Sequence, residues 1–280
     1  MTTAIAKTAC WTAAARARES ERKDALFRDA FAGHLAGSEG FAWFDRLSVP
    51  MAQSAEPNPY LAIRTRFFDD FLLHVACDHG LKQFVFLAAG MDTRAARLEW
   101  PAATRIFELD YPEVLQRKKA ILARLNARLN CEQVMVGVDL MTPWEDALID
   151  AGYETVAPSV WLLEGLLVYL DESTVLRLLD CVTKLTTPNS WLGADVVNNA
   201  FLKSAFYQTW SAFLDRQGAS WKFASDRPES LLSSRGWKAK VTQPGEEGAN
   251  FGRWPYPVLP REIPDVPRSF LIQASQNRPR

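Results

Sequence analysis

From residue 84 onward, short apolar runs alternate with longer amphipathic stretches. The runs stand at 84–88, 104–109, 132–137, 158–163 and 190–196, each of strand length. Phe84-Val85-Phe86-Leu87 is apolar at every position, which a strand buried on both faces of a parallel sheet requires. The intervening stretches predict helices at 93–99, 112–128, 144–151, 172–185 and 198–216. Strands alternating with helices over short connections imply a mostly parallel sheet with right-handed crossovers. Two more strands, at 237–241 and 269–274, flank a Pro- and Gly-rich loop over 244–267. That makes seven strands, the last two expected as a hairpin. Ahead of them, 10–46 reads as a helical arm, 50–59 as turn-rich, and 60–77 as a helix. In that helix Ile63, Phe67, Phe71 and Val75 recur every fourth residue. The expected organisation is an arm or lid over 1–58 and an α/β domain over 59–280.

Composition narrows the picture. The 280 residues are 48% hydrophobic and 23% charged, enough for one large core. The formal net charge is −1 and no basic block appears, which argues against a nucleic-acid partner held through phosphates. Cys10, Cys77, Cys131 and Cys181 form no C-x-x-C pair, so reduced thiols are expected rather than disulfides or zinc, and no metal is expected. No leader-like apolar segment and no run of eighteen apolar residues is present, so the expectation is a cytoplasmic protein without a membrane partner. Oligomeric state leaves no mark in the pattern.

The candidate chemistry begins after the first strand. Ala88-Ala89-Gly90 is a small-residue turn, Asp92-Thr93 opens a helix, and about twenty residues on the next strand ends in Glu108-Leu109-Asp110. Glycine lets the backbone adopt positive φ or admit a close ligand, and a carboxylate at that distance suits ribose hydroxyls. The turn holds one glycine and no P-loop lysine, so a pyrophosphate is poorly served. A ligand with adenine and ribose but no phosphate fits better, S-adenosylmethionine being the common one. An ordinary strand–helix turn would look the same. Later strand ends carry Asp139, Glu164, Asp195 and Asn198. Asp92, Asp110 and Asp171 also suit helix caps. Glu164 differs, because it lies within the apolar run at 160–170, where a carboxylate needs a cation: a ligand's ammonium or sulfonium, or an internal arginine.

Together RARESERKDALFRDAFA, IRTRFFDDFL, FLAAGMDTRAARL, FELDYPEVLQRKKAIL, WLLEGLLVYLDEST and FGRWP resemble the leucine carboxyl methyltransferase family, including its bacterial natural-product branch, from about residue 12 to 260. The resemblance implies a Rossmann-like class I methyltransferase fold, a seven-stranded sheet with helices on both faces and an N-terminal helical lid. It implies S-adenosyl-L-methionine as cofactor, with Arg64 on its carboxylate and Gly90 under the methionine moiety. Asp110, or neighbouring Glu108, would hold the ribose, Asp139 and Leu140 would flank the adenine, and Glu164 would face the methionine end. Arg16, or Arg18, would close over the cofactor from the arm. Ala88 and Asp92 complete the expected cofactor turn. Two positions depart from the family: Ala88 replaces the first glycine of L-G-A-G, and Ala30 replaces the proline of D-P.

For the acceptor, the segments at about 198–230 and 244–267 are rich in aromatic residues, which suits a small, flat, apolar metabolite, although helix packing explains the same spacing. O-methylation of a carboxylate or hydroxyl is expected first, with C- or N-methylation of an indole-like aromatic and carboxyl methylation of a protein C-terminus as alternatives. Glu164, Tyr169 and Arg253 are the catalytic candidates, and Asn198 is a weaker one. Of the histidines, His74 and His79 fall at a helix end, and His34 alone is placed to reach an acceptor.

Overall fold

The computed structural model describes residues 4–48 and 59–276. The elements in chain order are helices α1 (Ala4–Glu21), α2 (Ala32–Ser48) and α3 (Tyr60–Asp78), then β1 (Gln83–Leu87), α4 (Arg94–Arg97), β2 (Arg105–Asp110) and α5 (Pro112–Arg124). They continue with β3 (Glu132–Gly137), α6 (Glu145–Asp150), β4 (Val160–Leu163), α7 (Glu172–Leu185) and β5 (Trp191–Val197). The last are α8 (Asn199–Lys203), α9 (Ala205–Gln217), α10 (Pro228–Ser233), β6 (Trp237–Thr242) and β7 (Ser269–Gln276). The strands form one sheet in the order β3-β2-β1-β4-β5-β7-β6. β1 pairs in parallel with β2 on one side and β4 on the other, while β7 runs antiparallel between β5 and β6. Strand order therefore reverses beside β1, and the crevice beyond the carboxyl ends of β1 and β4 is where such sheets hold ligands.

Alternate side chains of each strand serve opposite faces. Phe84 and Phe86 enter one core with Phe67, Phe68 and Phe71 of α3, whereas Val85 and Leu87 enter the other with Val175 and Leu179 of α7. Coverage on both faces explains why β1 carries no polar alternation. The arm packs tightly at one point, where Gly40 of α2 lies so near α1 that a Cβ would stand 2.4 Å from the Cys10 carbonyl oxygen. Cys10, Ala13 and Ala14 then cluster with Leu35 and Ala36 and, from the sheet domain, Met91 and Val114. The small side chains are what allow α1 to lie this close to the glycine turn.

Several elements differ from the sequence expectation for local reasons. The arm is not one continuous helix: Asp29 accepts from the N–H groups of Phe31 and Ala32 at 3.1 and 3.0 Å and starts α2 anew, and α2 is itself kinked at Gly37, where φ is 58°. The helix expected over 198–216 divides at Ser204, whose hydroxyl caps α9 through Tyr207 N–H at 3.2 Å. The helix expected over 93–99 shrinks to Arg94–Arg97, where Leu98 turns extended. α10, which starts at Pro228, was not anticipated. Apart from Pro59, the turn-rich stretch at 50–59 and the 58/59 boundary lie outside the described residues. Ala30, the departure from D-P, is exposed. Among the described residues no helix is long and apolar enough to cross a membrane, and no cluster of His, Cys, Asp and Glu could hold a metal. All four cysteines are free.

Candidate active site

A cavity of about 460 Å³ occupies the crevice at the carboxyl ends of β1, β2, β4 and β5, roofed by the arm. The turn after β1 forms its floor. Ala88 has φ 52° and Gly90 φ 49°, so both are left-handed, a conformation that costs a non-glycine residue about 1–2 kcal/mol. Ala88 thus keeps the backbone shape that glycine would adopt freely. Asp110 sustains the turn, since its two oxygens accept from the N–H groups of Gly90 and Tyr111, each at 2.7 Å. Burial raises the Asp110 pKa, and those two donors only partly offset the effect. At the end of β3, Asp139 accepts from Met141 N–H at 2.9 Å and Tyr111 O–H at 3.4 Å through one oxygen. Its other oxygen makes no hydrogen bond within the described residues. Leu140 lines the cavity beside it.

The wall opposite is a buried charge network. Arg64, from α3, donates from Nε to Glu164 and from Nη1 to Asp195, both at 3.0 Å. Asp195 also accepts from Tyr60 O–H at 2.9 Å and Gly165 N–H at 2.6 Å. Arg94 reaches Glu164, Asp92 and Asp69 at 2.8, 2.5 and 2.7 Å, and Arg97 reaches Asp69 at 2.6 Å and Asp29 at 4.0 Å. Asp29 in turn pairs with Arg16 at 3.0 Å. Burial alone would raise the pKa of Glu164, but Arg94 and Arg64 outweigh it and the net shift is downward. Burial and Arg94 compete likewise at Asp92, whose pKa falls to about 2. Five carboxylates (Asp29, Asp69, Asp92, Glu164 and Asp195) thus face four guanidiniums (Arg16, Arg64, Arg94 and Arg97), which leaves one negative charge. Glu164 Oε2 is buried against Arg94 Nη1 at 2.8 Å.

Most of the residues singled out from sequence meet here. Arg16, Arg64, Ala88, Gly90, Asp92, Asp110, Asp139, Leu140, Glu164 and Tyr169 all line the cavity. Arg16 rather than Arg18 is the arm's contribution: it also donates to the Met91 carbonyl at 2.5 Å, whereas Arg18 is exposed and pairs with Glu21. Glu108 is a correction. It lies on the same face of β2 as Asp110 but two residues before the carboxyl end of the strand, below the crevice, where it is fully buried against Lys118 at 2.8 Å. Arg253 is another, since it lies outside the cavity and clamps Glu19 at 3.0 and 2.7 Å, tying the late loop to α1. Asn198 caps α8 through Phe201 N–H at 2.9 Å, and His34 is exposed on α2; neither lines the cavity. His74 pairs with Asp78 at 2.6 Å and His79 is the C-cap of α3. Arg94, Tyr60 and Asp69 were not singled out from sequence. The available signal was the excess of strand-end carboxylates, which requires buried cations.

The acceptor side, toward α8 and α9, is aromatic. Trp221 stacks on Phe201 and Tyr207 with centroids 5.8 and 5.5 Å apart, and meets Trp210 edge-on at 5.0 Å. Tyr169 stands edge-on to Trp221 at 6.3 Å. Burial raises the Tyr169 pKa above that of an ordinary phenol, so it is a neutral donor at physiological pH.

Comparison with known proteins decides the class. The family model described as leucine carboxyl methyltransferase matches residues 9–183. The chain belongs to that family. A relative from Mycobacterium avium, provisionally named an S-adenosyl-L-methionine-dependent methyltransferase, is 36% identical over 98% of this chain and 91% of its own length. One of the same provisional description from Parafrankia is 42% identical over 68% of this chain, which spans 63% of that relative's length. Among solved structures, a provisionally named methyltransferase from Thermobifida fusca aligns with a TM-score of 0.62 at 17% identity, over 89% of this chain and 92% of that one. The magnesium protoporphyrin IX methyltransferase of Synechocystis, solved with bound SAH, aligns with a TM-score of 0.51 at 10% identity, over 86% and 95%. At such identities the structures speak for the fold: a class I methyltransferase sheet.

The protein is an S-adenosylmethionine-dependent methyltransferase, and its site suits that cofactor. A buried network with a surplus negative charge needs a cation. The ammonium and sulfonium of S-adenosylmethionine are cations of that kind.

Proposed function

We propose that this methyltransferase modifies a small aromatic metabolite, with a carboxylate oxygen as the favoured methyl acceptor. The observation that carries the reading is the acceptor wall, which is aromatic and offers no uncommitted base. Among the described residues lining the cavity there is no histidine, Asp195 is held by Arg64 and Tyr60, and Asp171 caps α7. A phenol or alcohol acceptor would call for such a base, while a carboxylate is already ionised at neutral pH. S-adenosylmethionine supplies a methyl group activated on a sulfonium. An ionised carboxylate oxygen would take that methyl group with the thioether as leaving group, so this chain would have no proton to move.

In this reading the chain's own work is placement and exclusion of water. Gly90, Asp92 and Ala88 support the methionine moiety, Arg64 and Glu164 hold its ends, and Asp110 takes the ribose. Asp139 and Leu140 flank the adenine. Arg16 latches the arm to the turn through the Met91 carbonyl, making residues 1–58 a lid on the domain at 59–280, and Tyr169 orients the acceptor. Methylation of carbon or nitrogen in an indole-like ring is favoured by the aromatic wall alone and is the second reading. A panel of ring-matched aryl carboxylates, phenols and indoles, followed by mass spectrometry, separates the two. Methyl ester products are expected, and gains confined to indoles would overturn the carboxylate assignment.

A further inference from the structure

Resting on the aromatic-acceptor reading, we infer that Lys222 is a specificity residue that binds an anionic group carried by the acceptor. Five cations line the cavity, and Arg16, Arg64, Arg94 and Arg97 all sit in ion pairs with its buried carboxylates. Lys222 alone among them makes no ion pair within the described residues. Asp171, whose charge interacts with it, has its Oδ1 engaged as the cap of α7, where it accepts from Ser173 O–H at 2.6 Å and Thr174 N–H at 2.8 Å.

Lys222 is also held in place. Its backbone N–H donates to the Val168 carbonyl at 2.6 Å, and Phe223 N–H donates to the same oxygen at 3.2 Å. Val168 belongs to the short 3₁₀ turn Leu167–Tyr169 that follows Glu164. The backbone of the lysine is therefore fixed to the edge that presents Tyr169, next in sequence to Trp221 at the centre of the aromatic cluster. An exposed ammonium at the rim of an aromatic pocket attracts an anion and selects against neutral or cationic rings of the same shape. Arg253, a catalytic candidate from the sequence, is bound to Glu19 outside the cavity, which leaves Lys222 as the cation on the acceptor side.

The test is ligand binding to the SAH-loaded enzyme, read by tryptophan fluorescence, with 2-naphthoate and the isosteric 2-naphthamide as probes. Wild type should bind the anion about tenfold or more tightly than the amide. Lys222→Met should remove that preference, and Lys222→Arg should keep it. SAH affinity, measured by calorimetry, should stay unchanged in both variants. Equal binding of the two probes by wild type, or a preference that survives Lys222→Met, overturns the inference. Failure of both probes to bind while SAH binds would instead sink the aromatic-acceptor reading, and this inference with it.

Discussion

Glu164 shows how a single side chain can be read correctly for its need and incompletely for its partner. A carboxylate inside VWLLEGLLVYL demands a cation, and Arg64 and Arg94 both provide one from within the chain. The same network sets an acid limit on stability. The pKa of Asp92, held down to about 2, and that of Glu164, shifted the same way, lie below the ordinary unfolded values of about 3.9 and 4.3. Acids with depressed folded pKa stabilise the native state above the unfolded pKa and lose that contribution as pH falls through the folded one. Thermal unfolding should therefore be flat near neutrality and drop steeply from about pH 4 toward pH 2. Asp92 should account for on the order of 2 kcal/mol of that loss. A melting temperature that holds down to pH 2.5 would contradict the assignment. At the same scale, Gly90 and Asp110 were legible because residue type and spacing carry their own geometry. Glu108 was not, because two carboxylates two residues apart share one face of a strand, and only their depth along the strand and the presence of Lys118 separate them.

At the scale of elements, apolar periodicity located every strand to within two residues at its start and end, because buried strands leave no freedom in composition. Helix ends were less legible, since they depend on caps such as Asp29 and Ser204 and on backbone turns such as Leu98. The crossing of α1 and α2 has a sharp requirement at Gly40, where any Cβ would overlap the Cys10 carbonyl. Gly40→Ala should push the helices apart and destabilise the protein by about 1–3 kcal/mol, the range for overpacking. Because Ala9 of α1 rests on Gly90, the same change should raise the KM for S-adenosylmethionine. Chemical denaturation and steady-state kinetics would check the two effects, and a variant with wild-type stability would show that the crossing is loose.

At the scale of the whole molecule, burial sorts the four thiols. Burial raises the pKa of Cys131 to about 12 and, with Glu145 beside it, that of Cys181 to about 11; it also raises that of Cys10, which lies wholly inside the arm. Cys77 is exposed. A thiol reagent at pH 7.5 should label Cys77 rapidly and the others only on unfolding, as peptide mapping would show; fast labelling of Cys10 would mean that the arm opens freely. The amino-acid sequence by itself determined the seven-stranded α/β class, the glycine turn, and the set of strand-end carboxylates that face the crevice. These are local quantities, set by periodicity and by what one residue type can do at one backbone position. Only the tertiary structure decided which charges pair, because Arg64 and Asp195 meet across 131 residues and Arg253 and Glu19 across 234. Charge pairing depends on distance in space, and a linear pattern does not encode it. That is why the chain alone revealed the need for cations, and the fold assigned them.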